Sequence, residues 1–233
     1  MAESFYKSLD IGKDVVATRT LLHEAIPLTG TIISGTYGTA NIKDYAHGMF
    51  QSVYDYPYLS SSANHIFDIT LGIGSGSSFT VSEQATKKLN IYNQMAQVLV
   101  GYDHTGSIQR FDEDGDILSG GTKIDNVMFL NFSRLLTKDE IKKGTFSLTL
   151  GVDSDYSSPM TKTAIITDAS GSDGYLVNSP VGEYGILFAS QGTGSPLAAD
   201  NVKCGLLFYQ AGVAALSNSI FEGAAAAATA TVT

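Results

Sequence analysis

Cysteine occurs once in these 233 residues, at Cys204. A single thiol excludes an intramolecular disulfide and any zinc site built on cysteine pairs. It lies in the apolar run Val202-Lys203-Cys204-Gly205-Leu206-Leu207-Phe208, which predicts a buried, inert thiol rather than a reactive one. Charge is also scarce. Only 16% of residues are charged, against roughly 25% in an average soluble domain. Basic residues are the rarer sign, 14 against 23 acidic, for a formal net charge of −9. Phosphate neutralisation supplies most of the affinity of a free-standing nucleic-acid binder, so direct nucleic-acid binding is not expected. Long hydrophobic runs are missing too. The longest, Gly205 to Leu216, is interrupted by Gln210 and is too short to span a bilayer. Met1-Ala2-Glu3-Ser4-Phe5-Tyr6-Lys7 has no basic segment followed by an apolar one, so no signal peptide is expected.

Small residues fill the place of the missing charges. A charge-poor surface of Gly, Ser, Thr and Ala suits a protein buried in an assembly, and is also common in extracellular β proteins. A chain of this length can bury roughly 70–75% of its unfolded surface, enough for a full core. The clearest pattern in it is a phrase that occurs twice. Phe67-Asp68-Ile69-Thr70-Leu71-Gly72-Ile73 returns as Phe146-Ser147-Leu148-Thr149-Leu150-Gly151-Val152, each followed by a serine-rich turn. Large apolar residues fall at alternate positions, the period of a strand with one face in a core. No wider self-similarity surrounds the copies, so two strands of one sheet system are favoured over a duplicated unit.

Further strands are expected at about 21–34, where Pro27 forces an edge or bend, and at 127–132, 163–168, 174–178, 182–190 and 202–209. Gly35 to Gly48 reads as a loop, and 101–125 as a long polar loop or hairpin. Residues 80–100 form the one good helix. Thr80 and Glu83 have capping-box spacing, Leu89, Tyr92, Met95, Ala96 and Leu99 make one apolar stripe, and Gly101 stops it. Thr137 and Glu140 repeat the capping spacing and predict a short helical turn at about 137–143. The fold class that follows is mainly β: an antiparallel β-sandwich or jelly-roll-like core with one covering α-helix. The domain expectation is an N-terminal arm at 1–20, a single β-rich domain at 21–216, and an Ala/Thr-rich tail at 217–233 that lacks bulky residues for a core.

Candidate chemistry is thin. Asp112-Glu113-Asp114-Gly115-Asp116 is the densest acidic cluster, but an EF-hand counted from Asp112 needs Gly at Ile117 and Glu at Lys123. A solvated hairpin turn around Asp114-Gly115 is the better reading. Asp153, Asp155, Asp168 and Asp173 all lie in turn sequences, where Asp binds nearby backbone. His23, His47, His65 and His104 have no metal-binding spacing, and no Gly-x-Ser-x-Gly elbow or Walker lysine occurs. No cofactor and no metal are expected. The strongest surface candidates are Tyr54, Tyr56 and Tyr58 around Pro57, three rings on one side of a stiff segment. Such rings suit a protein-binding patch or sugar stacking.

The segment from Val127 to Leu150, with Phe129-Leu130-Asn131-Phe132 and Thr137-Lys138-Asp139-Glu140 at its centre, resembles structural proteins of marine contractile-tailed bacteriophages of the T4-like kind, such as those of cyanobacteria. Tyr184-Gly185-Ile186-Leu187-Phe188 and Gly205 to Leu216 share the resemblance. It implies a virion component, made in the host cytoplasm, with no catalytic residues to carry over. The expectation is therefore a non-enzymatic building block of the tail, neck or baseplate, a homo-oligomer or a partner of other virion proteins, with contacts through the tyrosines and both terminal arms. A capsid decoration protein, a receptor- or carbohydrate-binding module, and a hydrolase built from scattered residues are the alternatives.

Overall fold

A computed structural model of the chain describes residues 40–76, 82–115, 117, 120–133, 140–152, 162–195, 197 and 199–221. The expected arm at 1–20, the strand at 21–34, the cap Thr80 and the tail from 222 lie outside the described residues. The protein is mainly β, as its alternating patterns predict. Among the described residues, ten antiparallel strands form one sheet: β1 (Ile42–Asp44), β2 (Gln51–Tyr54), β3 (His65–Ile73), β4 (Asn126–Phe132), β5 (Ser147–Gly151), β6 (Thr163–Thr167), β7 (Leu176–Ser179), β8 (Gly182–Gln191), β9 (Val202–Phe208) and β10 (Val213–Ser217). Their order is β1-β2-β3-β4-β10-β9-β8-β6-β5, with β7 also pairing β8.

The central strands are buried on both faces, which makes them nearly continuous apolar runs. Val127 and Phe129 of β4 join Leu206, Phe208, Val213 and Ala215 on one face. There they pack under the helix α1 (Glu83–Leu99), whose Ile91, Tyr92, Ala96 and Leu99 are buried. Met128, Leu130 and Phe132 point the other way, with Leu207, Ala214 and Leu216. On that face Phe67, Ile69 and Leu71 of β3 share one cluster with Leu187 and Ala189 of β8, Ile166 of β6 and Leu148 and Leu150 of β5. Near and far strands lining one cluster give the sheet a sandwich-like core.

Both copies of the repeated phrase thus feed the same core, from different places. β3 lies inside the sheet, paired to β2 and β4, whereas β5 ends it among the described residues. Gly72 sits where α1 comes closest. A Cβ there would lie 2.7 Å from Phe129 Cε2 and 3.1 Å from Tyr92 Cα, so only glycine lets the helix approach.

Several local expectations change. α1 is capped by Ser82, whose side chain accepts the Ala85 N–H at 3.1 Å. Gly101 ends the helix as predicted, at φ +81°, with its N–H on the Ala96 carbonyl at 2.9 Å. The expected loop at 35–48 contains β1, and β10 emerges from the apolar run after a turn at Gly212, φ +68°. All five β10 residues are buried, so no polar alternation marked it. Of the expected helical turn at 137–143, residues 137–139 lie outside the described residues. The rest is bend and turn, because Ile141 gives its N–H to the Tyr209 carbonyl at 3.0 Å instead of to a helical partner. The packed chain also runs past the expected boundary at 216. A 3-10 turn, Asn218–Phe221, buries Ile220.

Candidate interaction surface

The expected tyrosine strip lies at the β1–β2–β3 end of the sheet. Its segment is not extended. Tyr54 ends β2, and the chain then folds back through a turn to β3. Asp55 causes this by accepting the Tyr56 N–H at 2.8 Å, the Asn64 N–H at 2.6 Å and Asn64 Nδ2 at 2.9 Å. Burial opposes its charge, but the Asn64 and Tyr56 donors outweigh that and hold its pKa below the usual carboxylate value. Asn41, buried at 2% exposure, ties the other side, giving Nδ2 hydrogens to the carbonyls of Tyr54 (3.2 Å) and Asp55 (3.1 Å). All three tyrosines are half-buried as a result. Tyr54 meets Tyr58 at 6.3 Å and His65 at 5.4 Å between ring centroids. Among the described residues, the Tyr56 ring stands outside this group.

A second aromatic group, which sequence reading missed, caps the other end of the β1–β2 hairpin. Tyr45 and His47 stack at 5.3 Å and 5°. Phe50 closes the triangle at 4.9 Å from Tyr45 and 5.0 Å from His47. Lys43 Nζ lies 5.1 Å from the centre of the Tyr45 ring. His47 Nδ1 accepts the Met49 N–H at 3.0 Å, which leaves the ring proton on Nε2. Met49 and Phe50 are exposed. The available signal was aromatic residues flanking a turn glycine, Gly48, at φ +61°.

A polar row links the two groups. Lys43, Ser52, Asp68 and Asn131 are successive cross-strand partners on one face. Ser52 Oγ donates to Asp68 Oδ1 at 2.5 Å and receives the Tyr45 hydroxyl at 3.3 Å. His65 Nε2 lies 2.8 Å from the same Asp68 oxygen. This is not the order of a nucleophilic triad, in which the imidazole stands between hydroxyl and carboxylate. Here the carboxylate stands between, and the Ser52 proton goes to Asp68. The row can hold the aromatic groups in place and present one negative acceptor between them.

Of the acidic cluster at 112–116, Asp116 lies outside the described residues, and 112–115 do not form a solvated turn. Asp112 is 0% exposed, pairs with Lys123, and lies in a bridge to that residue. A contact between residues so far apart in the chain had no local signal. The turn at Gly115 (φ +79°) packs on the sheet, where Tyr184 donates its hydroxyl to the Gly115 carbonyl at 2.6 Å. Glu113 and Asp114 line a cleft of about 140 Å³ with Thr122 and Lys203. Burial raises the pKa of Glu113, and Asp112 raises that of Asp114. Among the described residues, no three His, Cys, Asp or Glu side chains gather as metal ligands. Asp153 and Asp155 lie outside the described residues. Asp168 is buried and serves the backbone, accepting the Gly144 N–H at 2.7 Å and the Phe146 N–H at 2.9 Å. Cys204 is buried as expected, and burial, with the Glu113 charge, pushes its thiol up to about 12.

A shallow groove of about 520 Å³ runs between α1 and the β9–β10 turn, past Met95, Val98, Val181 and Gln210. Among the described residues, no helix is long and apolar enough to cross a membrane. The chain matches no protein-family model, no curated protein and no solved structure.

Proposed function

We propose that this chain is a non-enzymatic structural component of a bacteriophage particle, in the tail, neck or baseplate, that works by docking onto copies of itself and other virion proteins. The observation that carries the assembly half of this reading is the Tyr45–His47–Phe50 group. Exposed His47 and Phe50 rings on a half-buried Tyr45, beside an exposed Met49, at a sheet margin of a charge-poor protein, have the composition of an interface centre. The virion half rests on the resemblance of residues 127–150. Symmetry in a particle would multiply contacts that are individually weak. Mass spectrometry and labelled imaging of purified particles test the proposal. A stoichiometric band and a repeating position support it. Absence from particles, together with a monomer at high concentration, overturns it.

A carbohydrate-binding module is the second reading, favoured by one feature. Tyr54 meets Tyr58 and His65, and His65 in turn reaches the Asp68 carboxylate, an arrangement of rings leading to a hydrogen-bond acceptor that suits a sugar. A glycan array probed with wild type and Tyr54→Ala separates the readings. No binding by wild type removes the sugar.

A further inference from the structure

Among the described residues, the two outer margins of the sheet differ. β1 is three residues long and carries Lys43 and Asp44, the short, charged form that discourages another strand. β5 has no such protection. From Thr145 to Val152 the chain reads Thr-Phe-Ser-Leu-Thr-Leu-Gly-Val, without a charge or a proline. Among the described residues, β5 pairs only with β6.

The register shows which of its backbone groups turn away from β6. Val152 gives its N–H to the Lys162 carbonyl at 3.0 Å, and Asp168 gives its N–H to the Phe146 carbonyl at 3.4 Å. Hydrogen-bonded positions alternate along an antiparallel pair, so Leu148 and Leu150 also turn their peptide groups to β6. Ser147, Thr149 and Gly151 turn theirs outward. The Ser147 and Thr149 side chains are exposed, while Leu148 and Leu150 are only part-buried at the rim of the core.

We infer that this margin pairs with β5 of a second copy, antiparallel, about a two-fold axis at Thr149. The strand is self-complementary in that register. Thr149 faces Thr149 of the other copy, and Ser147 faces Gly151, so every outward N–H finds a carbonyl. Leu148 then lies opposite Leu150 in a non-hydrogen-bonded pair, where side chains approach closest. The part-buried leucines of each copy cover one another, and the core continues across the seam. No charge lies on the seam to repel its symmetric equivalent. The inference rests on the assembly reading above and names one surface that would carry it.

The test is analytical ultracentrifugation of the full chain at about 100 µM, because a single-strand seam falls among the small interfaces. Wild type is expected at twice 24.6 kDa. Thr149→Pro removes the outward N–H without touching the β6 ladder, and should run at 24.6 kDa with an unchanged melting temperature. Thr149→Val should keep the doubled mass. Thr149→Cys supplies a second readout that does not depend on tolerance of proline. Partners in a hydrogen-bonded pair have Cα atoms about 5.5 Å apart, within disulfide range. Copper–phenanthroline oxidation should link Thr149→Cys into a dimer on a non-reducing gel, whereas wild type, with only buried Cys204, should not link. A monomeric wild type overturns the inference. An oligomer that persists in folded Thr149→Pro, with no link through Thr149→Cys, overturns the β5 seam and leaves assembly through other surfaces standing.

Discussion

Asp168 offers the sharpest energetic test of the fold. Its carboxylate is 0% exposed and accepts three donors: the N–H groups of Gly144 and Phe146 and the Tyr209 hydroxyl, at 2.7, 2.9 and 3.2 Å. Asp168→Ala leaves the donors of Phe146 and Tyr209 buried without an acceptor, whereas water can reach the N–H of the exposed Gly144. Each unsatisfied donor costs about 1–3 kcal/mol, and removal of the buried carboxyl's own desolvation offsets part of that. The net loss is roughly 2–4 kcal/mol, a large share of the 5–15 kcal/mol typical of a whole domain. Two of the donors sit in the turn that enters β5, so the damage should centre on that end of the sheet. In urea the midpoint should fall with little change in slope. A loss under about 1 kcal/mol at constant slope would show that the three contacts do not stabilise the fold as argued. The pH response gives an independent check. Burial raises the Asp168 pKa above its ordinary 3.8, and the Gly144, Phe146 and Tyr209 donors pull it back only in part. The folded chain then holds this proton more tightly than the unfolded chain. Its contribution is full below pH 3.8 and is lost as pH rises through the raised folded value. Asp168→Asn should lack that slope.

Three further outcomes follow from other contacts. Gly72→Ala should lower stability by about 1–3 kcal/mol through overpacking between α1 and β3, read by thermal melting; an unchanged melting temperature would refute the close approach. Tyr92→Phe deprives the Ile124 carbonyl (2.8 Å) and the Phe111 N–H (3.3 Å) of their partner and should cost about 1–2 kcal/mol. In wild type, burial pushes the Tyr92 phenol up to about 12, so ultraviolet titration should lose one late-ionising tyrosine in that variant. Cys204 should stay unreactive to a thiol reagent in buffer and react fully in denaturant; rapid native labelling would contradict its burial.

Much of the fold is legible along the chain because it is locally encoded. The period-two phrase at 67–73 became β3, the helical stripe at 89–99 became the buried face of α1, and Gly101 stopped the helix. Strands with no alternation, such as β10, were not marked, because burial on both faces erases the polar signal. The surface was less legible. Tyr54 and Tyr58 were visible as residues, but their union with His65 depends on the Asp55-centred turn and on β2–β3 pairing. The Tyr45–His47–Phe50 group needed a hairpin that the glycine-rich composition hid.

By itself, the sequence determined the β class, the covering helix at 83–99, the apolar setting of the thiol and the scarcity of charge, since these follow from composition and from periods of two and 3.6. Tertiary structure alone decided what two phrases of the same pattern do. β3 lies inside the sheet with a glycine under the helix, and β5 lies at its margin with its outer peptide groups turned away from β6. Strand position is set by long-range pairing, which leaves no mark on the strand itself. It likewise buried Asp112 against Lys123, where local pattern predicts a solvated turn.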